Sequence, residues 1–168
     1  MELLKVVASG FKLCVDNFTI SFVPTGNKTV ADKEFELKEI AKGLFIYNTL
    51  GIIGKNASGK TTAVELLAVV YDIFSNYRIK NSINIFRFID KPIKLDITFY
   101  HEGVIYRYLT DLVKDSKSVD DSVVLLKNEK LYKRVYKTAH SKNLFDYEKF
   151  EEVKKDIILP EDTSMNYS

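Results

Sequence analysis

Residues 54–62 read Gly54, Lys55, Asn56, Ala57, Ser58, Gly59, Lys60, Thr61, Thr62 and satisfy the spacing G-x-x-x-x-G-K-[ST]. An apolar, β-leaning run, Leu44 to Ile53, stands before them, and an apolar helical pattern begins near Lys60. A strand, a glycine-bearing loop and a helix in that order are what a phosphate-cradling loop requires. Glycine lets the backbone turn tightly enough for successive N–H groups to face phosphate oxygens. The start of the helix adds its own unpaired N–H groups and the positive end of its dipole. Lys60 is placed to reach the β- and γ-phosphates, and the Thr61 hydroxyl to ligate Mg²⁺. The competing reading is a glycine-rich turn without a ligand, and the flanking strand and helix weigh against it.

The rest of the chain reads as one unit of 168 residues, long enough for a real core. Residues 1–53 pattern as strands, with a pair at Leu3 to Ala8 and Phe11 to Phe22. Within the second, Phe18-Thr19-Ile20-Ser21-Phe22 alternates as a half-buried strand does. Pro24 to Lys28 breaks the pattern, and Phe35 to Ile40 suits a strand or a short helix. Residues 54–77 hold the loop and the main helix, Thr61 to Tyr77. It is apolar around most of its circumference, with Glu65 and Asp72 the main exceptions, which predicts burial on several sides. Residues 93–137 pattern as two antiparallel hairpins, the first turning at His101-Glu102-Gly103 and the second lying in Val123 to Arg134. Residues 147–157 carry Phe150, Val153 and Ile157 at the spacing of a short helix. The predicted fold is therefore α/β: a mixed sheet with an antiparallel β-meander and a buried helix after the loop.

The interior of the loop says more than its outline. Gly54-x-Asn56-Ala57-Ser58-Gly59-Lys60-Thr61 resembles the loop of the ABC/SMC-like (RecF-related) ATPases, a group that includes many AAA-family ATPases of abortive infection and phage defence. The hairpins are similar to those of the defence ATPases but generic by themselves. The resemblance implies a P-loop NTPase half-domain, here an N-terminal ATP-binding lobe. It also gives Asn56 a contact near the γ-phosphate and so a catalytic part beside Lys60. In that family hydrolysis occurs at a dimer interface, where the signature motif of one subunit closes on the phosphate loop of another. The family also carries a hydrophobic strand ending in Asp-Glu, a Mg²⁺-linked Gln and a His switch. This chain has no Leu-Ser-Gly-Gly-type signature, no apolar run ending in Asp-Glu, and no glutamine at all. Ile85 to Asp90 ends in a carboxylate but runs into Lys91-Pro92 with Arg87 inside it. The resemblance thus implies that the second ATPase lobe is missing, to be supplied by self-association or a complementary lobe.

Other features narrow the reading. No apolar run approaches the roughly 20 residues needed to span a bilayer. The single cysteine, Cys14, forms no internal disulfide and reads as core in a reducing, cytoplasmic setting. His101 and His140 are far apart and give no metal-ligand spacing. Lys130, Tyr132, Arg134 and Tyr136 would share a strand face, where basic and aromatic residues can hold nucleic acid. A solvated edge strand competes with that reading, and a net charge of +2 gives nucleic acid little support. Phe18 or Phe22, upstream of the loop, could stack on adenine or simply fill the core.

The leading expectation is ATP and Mg²⁺ binding as part of an ATPase of the phage-defence type, with an effector protein as a further partner. A nucleotide-responsive interaction module without catalysis and a small phosphotransferase are the alternatives. The second lacks support, because only Arg78, Arg87, Arg107 and Arg134 are present to build an arginine-rich lid. A GTP-dependent switch is disfavoured, since no Asp stands three residues before any of the seven glycines.

Overall fold

The computed structural model describes residues 1–12, 14–26, 28–55, 59–75, 91–114 and 124–153, and within them eight strands accompany one α-helix. Strands β1 (Glu2–Ser9) and β2 (Phe18–Ser21) come first, then the short β3 (Leu37–Ala41) and β4 (Leu44–Tyr47). Helix α1 (Lys60–Phe74) precedes the long strands β5 (Ile93–His101), β6 (Val104–Lys114) and β7 (Val124–Val135). A two-residue β8 (Glu151–Glu152) closes the described region. Six strands form one sheet in the order β2-β1-β5-β6-β7-β8, antiparallel at every pairing. Strands β3 and β4 make a separate two-stranded hairpin.

This architecture overturns the α/β expectation of a P-loop NTPase half-domain with a mixed sheet. Such a fold needs a parallel sheet flanked by several helices, because parallel neighbours are joined by long crossovers, usually helical. Here the described chain is mostly β, its large sheet is wholly antiparallel, and one helix accompanies it. The strand leading toward the loop does not enter the large sheet's ladder either. β4 pairs with β3, and beyond it the Tyr47 amide donates to the Phe22 carbonyl (2.9 Å) just past the end of β2.

The sheet is covered on both faces. On one, α1 lays Leu66, Val69 and Val70 onto Val6, Ile93, Ile97 and Leu112, with Phe11 wedged beside them. On the other, Leu4 and Ile105 meet Leu44 and Ile46 of the β3–β4 hairpin, with Leu144 and Phe150 from the segment after β7. A bulge in β1 between Leu3 and Lys5 serves both cores. Leu3 and Val6 turn toward α1 while Leu4 joins the opposite cluster, as an extra residue in one strand allows. α1 is buried on one side, not several: Val64 and Tyr71, one face seven residues apart, are exposed, Tyr71 at 68 %.

Other elements differ in detail from their sequence patterns. Val124–Val135 is not a hairpin but one strand, pairing with β6 on one side and β8 on the other. Residues 147–153 form a 3-10 turn (Tyr147–Lys149) and β8, not the start of a helix, and residues 154–157 lie outside the described residues. Of Phe11 to Phe22 only Phe18–Ser21 is strand, with Phe11 buried at the turn before it. Phe35 to Ile40 is divided between a π-helical turn (Asp32–Glu36) and β3.

The β5–β6 turn shows how local chemistry fixes register. Glu102 and Gly103 both take positive φ, 46° and 83°, as a two-residue type I′ hairpin requires. That turn seats His101 opposite Val104 and sets every following pair as far as Ile93 opposite Leu112. A methyl group at Gly103 would meet nothing within 4 Å, so its cost is purely conformational. Gly103→Ala should lower stability by about 1 kcal/mol, read as a lower urea midpoint at unchanged slope.

Candidate nucleotide site

The described ends of the loop converge at the start of α1. Gly59 occupies the position just before the helix with φ 88°, a left-handed conformation that glycine adopts without strain. Its carbonyl accepts the first helical bond, from the Ala63 amide at 3.0 Å. No side chain caps this end and no acidic residue sits in the first turn, so its N–H groups and positive dipole end face outward uncompensated. Lys60 reaches back across the loop, and its Nζ donates to the carbonyls of Gly54 (2.8 Å) and Lys55 (2.7 Å). Those contacts tether the Lys60 ammonium to the described start of the loop. They use two of the three ammonium donors. Asn56, Ala57 and Ser58 lie outside the described residues, as does Asp90.

A cavity of about 590 Å³ opens against this end of α1. Its polar side is made by Gly59, Lys60, Thr61 and Thr62, and its apolar side by Val15, Phe18 and Ile52. That volume is in the range of small-molecule sites, about 300–1,000 Å³, and an apolar wall facing a few polar groups is their usual make-up. Phe18 both lines the cavity and packs against the α1-side core. Phe22 lies elsewhere, in an apolar groove with Leu67 and Phe74. Cys14 also borders the cavity, and burial pushes its thiol pKa up. Glu65, one turn into α1, is tied to Lys12.

Among the described residues no group of three His, Cys, Asp or Glu side chains could hold a metal ion. If a nucleotide brought Mg²⁺ to this site, the Thr61 hydroxyl could supply one ligand beside phosphate oxygens and waters. Thr61 is exposed at the first turn of α1, beside Lys60, which suits that part.

The apolar run 44–53 is strand only to Tyr47. Beyond it Leu50, Ile52 and Ile53 are exposed, Ile53 at 97 %. Of the basic and aromatic strand face suggested by the sequence, Lys130 is exposed, whereas the other three side chains are engaged in packing. Tyr132 and Tyr136 join the second core, Tyr136 also donating its hydroxyl to the Lys42 carbonyl (3.1 Å). Arg134 is buried and donates to the Asn143 carbonyl (3.2 Å).

Sequence reasoning missed a polar cluster on the sheet face away from α1. Arg107 forms a two-pronged bond to Asp96, Nε to Oδ1 at 3.0 Å and Nη2 to Oδ2 at 2.7 Å. Its guanidinium lies 3.8 Å from the Tyr147 ring centroid, and the Tyr147 hydroxyl meets Thr98 Oγ1 at 2.8 Å. Burial raises the Tyr147 pKa to about 12. Lys5 Nζ sits 4.0 Å from the Phe145 ring centroid, its pKa lowered by burial. Partners far apart in sequence make this cluster, and no local motif announces it. It locks the segment after β7 onto the sheet.

No protein-family model matches the chain, and no curated protein matches it. Among the described residues no helix is long and apolar enough to cross a membrane.

Proposed function

We propose that the chain binds ATP with Mg²⁺ through residues 54–62, as one lobe of an ATPase whose catalytic complement comes from elsewhere. The observation that carries this reading is Lys60, its ammonium drawn over the loop between Gly54 and Lys55 at the uncapped start of α1. In this reading the phosphates meet Lys60 and the loop amides, Thr61 shares the Mg²⁺, and Asn56 stands near the γ-phosphate. The base lies toward Val15 and Phe18, along the apolar wall. Exposed Ile53, which borders the cavity, supports a covering partner, a second copy or a complementary lobe. The loop's resemblance to the ABC/SMC-like ATPases supports phage defence as the setting, and the lone cysteine supports the cytoplasm.

Calorimetric titration with nucleotides of different phosphate content tests the reading. Affinity should follow the phosphates, with Mg·ATP and Mg·ADP binding well and adenosine at least tenfold more weakly. Adenosine binding as tightly as ATP would place recognition on the base and remove the loop from the account.

A further inference from the structure

A larger cavity, about 870 Å³, lies on the hairpin side of the molecule and shares no lining residue with the site at Lys60. Three lysines line it, Lys28 and Lys33 from the segment before β3 and Lys142 from the 3-10 turn after β7. Lys28 and Lys33 converge on one aromatic ring, their ammonium groups 5.5 and 5.7 Å from the Phe45 centroid. Drawing two like charges to one ring costs Coulomb energy, which a cation–π contact of about 0.5–1 kcal/mol each only partly offsets. An anion between them reverses the sign of that cost. No carboxylate of the described residues pairs with Lys28, Lys33 or Lys142. The one acid in the lining, Asp146, is held by Lys149 at 2.8 Å. Ser21 and Asn143 add neutral polar residues to the lining.

We infer that this groove is a second anion site, built for a ligand carrying a chain of two or more phosphates. Three lysines lining one groove suit several linked phosphates better than a single one, since each ammonium acts as a separate point charge. A single-stranded nucleic acid fits the geometry less well. Its bases would need open aromatic faces, whereas Phe45 carries Lys28 and Lys33, and Phe145 carries Lys5. The aromatic rings here position lysines.

The test uses the full chain with Lys60→Ala, so that the loop does not contribute, and sodium tripolyphosphate as the probe. Calorimetry should show tripolyphosphate binding to Lys60→Ala, at least tenfold tighter than orthophosphate and weakening as salt is added. Adding Lys33→Gln and Lys142→Gln, both at the surface, should reduce affinity at least tenfold with an unchanged melting temperature. ATP competing with tripolyphosphate would identify the bound chain as that of a nucleotide, and failure to compete would point to a free oligophosphate. Either result keeps the site. No binding to Lys60→Ala, or binding indifferent to the two glutamines, would overturn the proposal. So would an oligothymidylate that outcompetes tripolyphosphate at equal phosphate concentration. None of these outcomes bears on the nucleotide reading of the loop, which depends on Lys60.

Discussion

Purified residues 1–168 should bind Mg·ATP and yet hydrolyse it at or near the background rate. Phosphoryl transfer needs charge on all sides of the γ-phosphate and a group that orients the attacking water. In the proposed site the loop, Lys60, Thr61 and Asn56 would supply one side. The sequence holds no glutamine and no Asp-Glu strand end, and Glu65, the acid nearest the loop in α1, is tied to Lys12. A single missing transition-state cation can cost about 10³–10⁵ in rate. Turnover should therefore stay at least a thousandfold below the 1–10³ s⁻¹ typical of complete enzymes, and should rise only when a complementary lobe is added. Robust turnover by 1–168 that Lys60→Ala abolishes would contradict this, with Asp90 as the first carboxylate to examine.

The second large effect concerns the helix that carries the site. Leu66 is fully buried between α1 and the sheet, whereas Val64 is 57 % exposed two residues earlier. Leu66→Ala should cost about 2–5 kcal/mol, from lost burial and the cavity left behind. Val64→Ala should stay within about 0.5 kcal/mol. A domain of this size has only about 5–15 kcal/mol to lose, so the first change should bring urea unfolding close to ambient conditions. Equal losses from both would mean that α1 is buried all round, as its composition alone suggests.

That contrast shows where sequence was informative. The turn into α1 is legible because its chemistry is local: Gly59, at left-handed φ, stands directly before an apolar helical pattern. The β5–β6 hairpin is legible for the same reason, through the alternation from Ile93 and the Glu102-Gly103 turn. What sequence hides is which partner each segment finds. Leu44 to Ile53 is largely apolar, but only Leu44–Tyr47 meets a neighbouring strand, so a run that reads as one strand ends early. Val64 and Tyr71 are as apolar as Leu66, and nothing in their spacing says which face lies on the sheet. Residues 147–153 have spacing that suits a helix over a short window, yet Val153 donates to the Leu131 carbonyl (2.8 Å) and the segment ends as an edge strand. Arg134 and Tyr132 look like surface readers of nucleic acid until Asn143 and Phe150 close over them. The antiparallel topology is set by such long-range pairing, and a familiar loop does not dictate it.

The central claim is that Lys60 holds the phosphates of a bound nucleotide. Thermal melting of wild type and Lys60→Ala, each with and without millimolar Mg·ATP, tests it directly. At 100 times its dissociation constant a ligand of the native state adds about 2.7 kcal/mol, so wild type should melt several degrees higher with nucleotide while Lys60→Ala should barely move. An equal upward shift in both proteins would show that ATP binds without Lys60 and would contradict the claim.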